Sequence, residues 1–396
     1  MQRQNGDFFL RFRASNRLPP RDPGLGNAGS LSRALVETNP TRLSLTYPEG
    51  EILGALSASD ALRYEPSPLG LWAARVAVAA HVSRHRDAVG PERIVLTAST
   101  SEAYALLCKV CCAAGESAAM PRPSYPLLPV LAHLEGVQTL SYALHWDGLR
   151  FCVDLADVRV ALDQGARLVA AVSPNNPTGT VLTQHEALAL ATLCAEYEVP
   201  LVVDEVFGCY GYDSDWTRGC GNELPGLVIV LEGLSKTAAL PQLKLGWMVV
   251  RGDEGAAREL IEALEFAADA YLSVATPVQL GAARLLELGE AVQGELRERL
   301  RMNLALLRRE VARVPALSVV AGEGGFTALV RMPRIVSDAT LVTEIGRRAG
   351  LLVQPGSVYD FVGEGWLVLS LASPPAEFAA AAAKLAEALG TWLREV

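Results

Sequence analysis

The sequence lacks an excess of positive charge and any cluster of lysine and arginine. Its 35 Lys and Arg residues are outnumbered by 44 Asp and Glu residues, which gives a formal net charge of −9 at pH 7. A protein that binds nucleic acid usually carries a basic patch. We therefore expect no nucleic-acid partner.

Long apolar runs are also missing. No run reaches the roughly 18 residues that a bilayer-spanning helix needs. The first residues, MQRQNGDFFLRFR, lack the basic-then-apolar order of a signal peptide. These absences predict a cytoplasmic protein with no membrane partner.

Cysteine and histidine are sparse and show no ligand spacing. Seven cysteines make an odd number, which is typical of a reducing compartment. Cys108 and Cys111 form a lone C-x-x-C. We expect them to lie in the middle of a helix that begins at Ser101 and to pack in the protein core. His81 and His85 are expected on a solvated helix face. We predict no metal site.

One glycine motif matches a dinucleotide fingerprint by its letters alone. Residues 24–29, GLGNAG, fit G-x-G-x-x-G, but that loop must follow a strand and open a helix. The preceding LPPRDP cannot be a central strand, because proline removes ladder hydrogen bonds. We interpret the match as accidental.

The order of apolar runs and helical stretches predicts the fold. Between 94 and 250, short apolar runs alternate with helical segments, as in strands covered on both faces. This alternation favours an α/β fold with a mostly parallel sheet. Residues 253–315 read as long helices, and the remainder as a smaller α+β unit. We predict an arm (1–55) that completes the small domain, a large domain (56–290) and a small C-terminal domain (291–396).

Polar residues stand where four of the predicted strands end. The segments are TASTSEA (97–103), SPNNPTG (173–179), VVDEVF (202–207) and GLSKT (233–237). Each alone is explained by an ordinary turn or helix cap. Together they predict one crevice at the carboxyl edge of the sheet, where open α/β sheets bind ligands.

These segments, in this order and spacing, resemble the class I/II aminotransferases of the pyridoxal-phosphate-dependent fold type I. The resemblance covers nearly the whole chain. It implies a fold type I transferase and a homodimer with two shared active sites. The reaction it implies moves an amino group from an amino donor to a 2-oxo acid, with pyridoxal 5′-phosphate as cofactor.

The resemblance also implies roles around the cofactor ring. Lys236 would form the Schiff base and carry the substrate α-proton. We expect neighbouring positive charge to lower the pKa of its amine. Asp204 would pair with the pyridine nitrogen, Asn176 would donate to the ring O3′, and Tyr125 would stack on the ring face.

The cofactor phosphate would be held at the start of the helix after the first strand. Tyr64 would reach it across the dimer interface. Its other expected ligands are Ser99, Thr100, Ser101, Ser235 and Lys244.

Three positions depart from the family pattern. Lys244 replaces an arginine, so the phosphate loses a bidentate partner. Phe207 replaces a tyrosine that donates to O3′, which predicts a higher imine pKa. Val368 replaces the arginine that clamps the substrate α-carboxylate. Either another group binds the carboxylate, with Arg42 and Asn39 as candidates from the arm, or the substrate has none.

Two other functions remain open from the sequence alone. A decarboxylase or carbon–sulfur lyase of the same fold would share Lys236, Asp204 and Asn176. A cofactor-binding regulatory module is a more distant alternative, because no helix-turn-helix pattern precedes the cofactor domain.

Overall fold

A computed structural model describes residues 30–213 and 224–395. The GLGNAG segment and the first part of the predicted arm lie outside these ranges. No helix within them is both long and apolar enough to cross a bilayer.

The described helices range from four to 36 residues. In chain order they are α1 Ser30–Arg33, α2 Glu49–Ala55, α3 Trp72–Ser83, α4 Thr100–Cys111, α5 Leu127–Leu134, α6 Leu155–Asp163, α7 Gln184–Glu196, α8 Leu234–Thr237, α9 Glu254–Asp269, α10 Thr276–Val311, α11 Asp338–Ala349 and α12 Pro375–Glu395. Some of them begin at a side-chain cap. Thr183 and Glu186 form a capping box at α7, and the carboxylate of Asp154 accepts two N–H groups at α6.

The strands form two sheets. The large sheet has the order β1-β8-β7-β6-β5-β2-β3-β4, and the small sheet has the order β11-β12-β10-β9. The strands are β1 Ile94–Thr97, β2 Ser117–Arg122, β3 Gln138–Trp146, β4 Phe151–Val153, β5 Ala166–Val172, β6 Leu201–Asp204, β7 Val228–Gly233, β8 Gly246–Arg251, β9 Ser318–Val320, β10 Thr327–Arg331, β11 Gln354–Pro355 and β12 Trp366–Ser370.

The predicted mostly parallel sheet is confirmed. Strands β7, β6, β5, β2 and β3 pair in parallel, whereas β8 runs antiparallel between β7 and β1. The hairpin strand β4 is antiparallel to β3. The parallel strands therefore share one carboxyl edge.

Helices cover both faces of the large sheet. On β6, Val202 belongs to the same buried cluster as Leu107 of α4, whereas Val203 belongs to that of Leu190 of α7. Since each fully buried aliphatic side chain contributes about 1.5–3 kcal/mol, both faces of the strand stabilise the fold. This explains why β6 reads as an uninterrupted apolar run.

The long helix α10 connects the two sheets. Its Leu285 packs in the large-sheet core and its Leu300 in the small-sheet core. The predicted boundary at 290/291 falls within this helix, and the three domain ranges stay predictions. The described part of the arm contacts the small unit, where the Ser370 N–H donates to the Leu35 carbonyl at 2.8 Å.

The expectation for His81 is wrong. It is 2% exposed, and its ring meets Trp247 edge-on at a centroid distance of 6.2 Å. Helix α3 lies on the large sheet, so this position faces inward. The C-x-x-C cysteines occupy the last turns of α4, and Cys108 is buried. The described residues contain no group of three or more side chains suited to a metal ion.

Candidate active site

Six neighbouring strands of the large sheet bring most of the predicted site residues to one edge. These strands are β1, β8, β7, β6, β5 and β2, in their order across the sheet. The residues at their ends are Ser99, Thr100 and Ser101 after β1, Lys244 before β8, Ser235 and Lys236 after β7, Asp204 at the end of β6, Asn176 after β5 and Tyr125 after β2.

Two glycines allow the ends of β1, β7 and β8 to meet. Gly246 pairs in register with Thr97 on one side and with Gly233 on the other. A Cβ on Gly246 would lie 2.9 Å from the carbonyl carbon of Ser99, and one on Gly233 would lie 3.0 Å from the Gly246 Cα. Backbone therefore touches backbone where the first turn of α4 meets the segment that carries both lysines.

The N-terminus of α4 has the features of an anion-binding site. Ser99 Oγ accepts the Glu102 N–H at 3.2 Å and caps the helix. The N–H groups of Thr100 and Ser101 have no acceptor within the helix, as at every helix start. Lys244 is exposed, in a left-handed conformation with φ of 53°. Free N–H groups, hydroxyls and one cation suit a phosphate.

The Lys236 amine is enclosed by aromatic rings. Its Nζ lies 5.7 Å from the Phe207 ring centroid and 5.4 Å from that of Phe326. Burial lowers its pKa to about 8, against a weaker opposing effect of Cys209. The expected fall in the pKa is present, but its cause is desolvation rather than neighbouring positive charge. The Lys236 carbonyl accepts the Tyr210 hydroxyl at 2.6 Å.

Asp204 is a buried carboxyl with few partners. Its Oδ1 accepts the Val206 N–H at 3.0 Å. Burial raises its pKa to about 7, and the Val206 hydrogen bond and the nearby Tyr104 hydroxyl oppose that rise. Tyr104 is 1% exposed, and its hydroxyl has no hydrogen-bond partner within residues 30–213 and 224–395. Helix α4 thus places a phenol beside the carboxyl.

Several hydrogen bonds hold the loop after β5, but one buried side-chain oxygen in it has no partner among the described residues. The Asn175 amide donates to the Pro123 carbonyl and to Thr178 Oγ1, and Thr327 Oγ1 donates to the Pro177 carbonyl at 2.8 Å. The neighbouring Asn176 Oδ1 is buried without a hydrogen-bond partner among the described residues. A buried polar atom of this kind calls for a ligand.

Comparison with known proteins places the chain in a family. The family of aminotransferases of class I and II matches residues 32–385. The chain belongs to this family. Tyrosine aminotransferase from Caenorhabditis elegans is 23% identical over 321 residues, which cover 80% of this chain and 69% of the relative.

Further relatives agree with this membership. Valine–pyruvate aminotransferase from Mycobacterium tuberculosis is 26% identical over 328 residues, or 82% of each chain. A solved structure of alanine aminotransferase from Pyrococcus furiosus superimposes with a TM-score of 0.80 at 22% identity, covering 91% of this chain and 92% of that one. The chain is an aminotransferase of fold type I, and the decarboxylase, lyase and regulatory alternatives are not favoured.

This aminotransferase depends on pyridoxal phosphate, as its family does. The described residues fit that group. The Lys236 amine of lowered pKa matches an aldehyde, and the hydroxyls and free N–H groups at the start of α4 match a phosphate.

The remaining predicted residues of the aminotransferase differ in how far they are exposed. Tyr125 and Tyr64 are 43% and 75% exposed, whereas Phe207 is buried. Asn39 Oδ1 accepts the Thr41 N–H in the arm. Arg42 Nη1 lies 3.8 Å from Glu37, and 62% of its side chain is exposed.

Two residues of this aminotransferase were not found from the sequence. Tyr104 lies one helical turn after Thr100, so helical spacing could have identified it as facing the same edge. Phe326 covers Lys236 from the small unit, 90 residues further along the chain. No local pattern predicts such a contact.

Substituting Gly246 by alanine is expected to weaken both the fold and cofactor binding. The new methyl group would have to displace the backbone of Ser99, because it would approach the carbonyl carbon to 2.9 Å. Overpacking of this kind costs about 1–3 kcal/mol. Urea unfolding and cofactor titration would measure the two effects. Gly294→Ala is the control, since nothing lies within 4 Å of its Cβ position. Equal effects of both substitutions would contradict the prediction.

Proposed function

We propose that Lys236 attaches the cofactor of this aminotransferase and moves the substrate α-proton. The burial of its Nζ between two aromatic rings carries the proposal, because burial lowers the pKa to about 8. At neutral pH such an amine is partly uncharged, so it can attack a carbonyl and accept a proton.

The remaining residues at the sheet edge orient the cofactor. Pyridoxal phosphate, when bound, supplies an electron sink for the charge that develops at the substrate α-carbon. Asp204 holds the proton on the ring nitrogen, and Asn176 donates to the ring oxygen. Tyr125 covers the ring face. The phosphate is held by residues around the first turn of α4: Ser99, Thr100, Ser101, Ser235 and Lys244.

Dimer formation belongs to the same proposal. Tyr64 is 75% exposed, in a segment that lies beside β1, where the Leu96 N–H donates to the Leu69 carbonyl at 3.0 Å. In a homodimer with shared sites, this hydroxyl would reach the phosphate in the partner subunit. Sedimentation equilibrium of the cofactor-loaded protein would give a dimer mass, and a monomer mass would contradict this part.

We infer an amino donor and a 2-oxo acid acceptor as substrates and a cytoplasmic location. The relatives are named for tyrosine, valine and alanine. These names support amino transfer as the reaction, but they do not indicate which amino-acid side chain the protein prefers. The free thiols among the described cysteines suit a reducing compartment.

An absorption spectrum tests the proposed reaction. The protein is loaded with pyridoxal phosphate, and amino compounds are then added one at a time. Conversion of the yellow form to the pyridoxamine form, reversed by a 2-oxo acid, is the expected result. Release of carbon dioxide or of a thiol with retention of the yellow form would support the decarboxylase or lyase instead.

A further inference from the structure

Strand β12 offers no charge at the position where the family places its carboxylate-binding arginine. Val368 is 1% exposed and packs in an apolar cluster with Phe151, Phe361 and Trp366. Its side chain lies on the opposite face of β12 from Leu367 and Leu369, which belong to the small-unit core. The hairpin of the large sheet closes over this position through Phe151.

The neighbours of Val368 on β11 also carry no charge. Gln354 pairs with Val368 in register, and its Oε1 accepts the Tyr359 hydroxyl at 2.5 Å. The Tyr359 carbonyl in turn accepts the Ser124 N–H at 3.1 Å. This last contact joins the small unit to the loop that carries Tyr125.

Arg122 stands at this junction. It is the last residue of β2, held by parallel pairing to β3, and it lies three positions before Tyr125. The side chains of Arg122 and Met120 lie on the same face of the sheet, because they are two residues apart on one strand. Val202 and Asp204 are related in the same way on β6, and Val202 belongs to the same buried cluster as Met120. Arg122 therefore points to the side of the sheet on which Asp204 lies. Its Nε lies 3.9 Å from Asp360, the residue that follows Tyr359.

The Arg122 guanidinium is open to a ligand. Its side chain is 41% exposed, and that of Asp360 is 63% exposed, so their attraction is weak. A carboxylate binds a guanidinium through two parallel hydrogen bonds, which is stronger and more specific than this loose pairing. Arg122 thus presents a planar cation at the carboxyl end of β2, at the junction with Asp360 and Tyr359 of the small unit.

We propose that Arg122 binds the α-carboxylate of the amino donor, in place of the arginine replaced by Val368. The inference rests on the proposed aminotransferase function and assigns one residue of its substrate site. Arg42 of the arm is the alternative anchor, and an amine without a carboxylate is the alternative substrate.

Matched pairs of donors test the proposal. The loaded enzyme is titrated with L-phenylalanine and 2-phenylethylamine, and with L-leucine and 3-methylbutylamine, while formation of the pyridoxamine form is followed. Arg122→Gln is expected to raise the KM of the amino acids about tenfold to a hundredfold, the range for a charged hydrogen-bonded pair, and to leave that of the amines unchanged. Asp360→Asn removes the competing carboxylate and should lower the KM of the amino acids about two- to fivefold.

Arg331→Gln is the matched control. Arg331 is also exposed and stacks on Trp366 at 5.2 Å, but it lies at the end of β10 away from Thr327 and the loop after β5. An unchanged amino-acid KM in Arg122→Gln, or a rise in Arg42→Gln instead, would overturn the proposal. Conversion of the wild-type enzyme by the amines alone would also overturn it and leave the aminotransferase function intact. No conversion by any donor would reject the function itself.

Discussion

Replacing Lys236 by alanine is expected to reduce amino transfer to the limit of detection. The residue supplies both the amine that attaches the cofactor and the base for the α-proton. Loss of a positioned base alone lowers rates about 10²- to 10⁴-fold, and loss of the covalent attachment adds to this. Single-turnover conversion to the pyridoxamine form measures the effect without interference from product release.

Lys244→Ala is the matched control for Lys236→Ala. Both lysines stand in one segment, but Lys244 is exposed and its proposed partner is the phosphate. Its loss should weaken cofactor binding and leave the rate of the saturated enzyme nearly unchanged. Borohydride reduction should add the cofactor mass to the Lys236 peptide in the wild type and in Lys244→Ala. Label on any other lysine of the wild type would refute the assignment.

The pKa of Lys236 also predicts how the stability of the cofactor-free protein depends on pH. The folded value is about 8 and the unfolded value is 10.5. Between these values the unfolded chain binds the proton and the folded chain does not, so the Lys236 contribution to stability rises with pH, by about 3 kcal/mol in full. Buried cysteines such as Cys108 and Cys194, whose pKa burial raises to about 12, lower stability over the same window. In urea unfolding the slope of stability against pH should therefore be lower in Lys236→Met than in the wild type by the Lys236 contribution, and equal slopes would show that Lys236 does not titrate there.

Much of the fold could be predicted because its signals are local. Strand β6 is covered on both faces, so all its residues are apolar up to Asp204. The long helices predicted over 253–315 are present as α9 and α10. The buried His81 could not be predicted, since its neighbour Trp247 lies 166 residues away. Periodicity shows where a face is polar, but not what covers it.

The site could be predicted only as far as its strand ends. Lys236 and Asn176 were located by the turns that follow β7 and β5. The cause of the lowered Lys236 pKa was missed, because it depends on Phe326, which comes from the other sheet. Electrostatic properties of a buried group are set by everything packed around it. A sequence motif therefore identifies the reactive side chain but does not show which residues pack around it.

Replacing Asp204 by asparagine is expected to lower the rate of amino transfer about 10²- to 10⁴-fold. Removing one member of a buried ion pair costs about 3–5 kcal/mol, and each 1.36 kcal/mol is a factor of ten in rate. Asparagine keeps the shape and the Val206 contact but cannot hold a proton on the ring nitrogen by charge. The cofactor should still bind, which its absorbance would show.

The variant Tyr104→Phe tests whether the Tyr104 hydroxyl lowers the pKa of Asp204 or only fills the space beside it. Burial raises the Asp204 pKa to about 7 in the cofactor-free protein, and the Tyr104 hydroxyl limits that rise. Removing the hydroxyl should raise the pKa further, so cofactor affinity should begin to fall at a higher pH as the solution is acidified. The stability contributed by Asp204 changes in the opposite sense, since a carboxyl with a raised pKa loses stability as pH rises from about 4 to 7. If Tyr104→Phe left the pH profile of cofactor binding unmoved while Asp204→Asn abolished the profile, Asp204 would titrate independently of α4. The phenol would then only fill space.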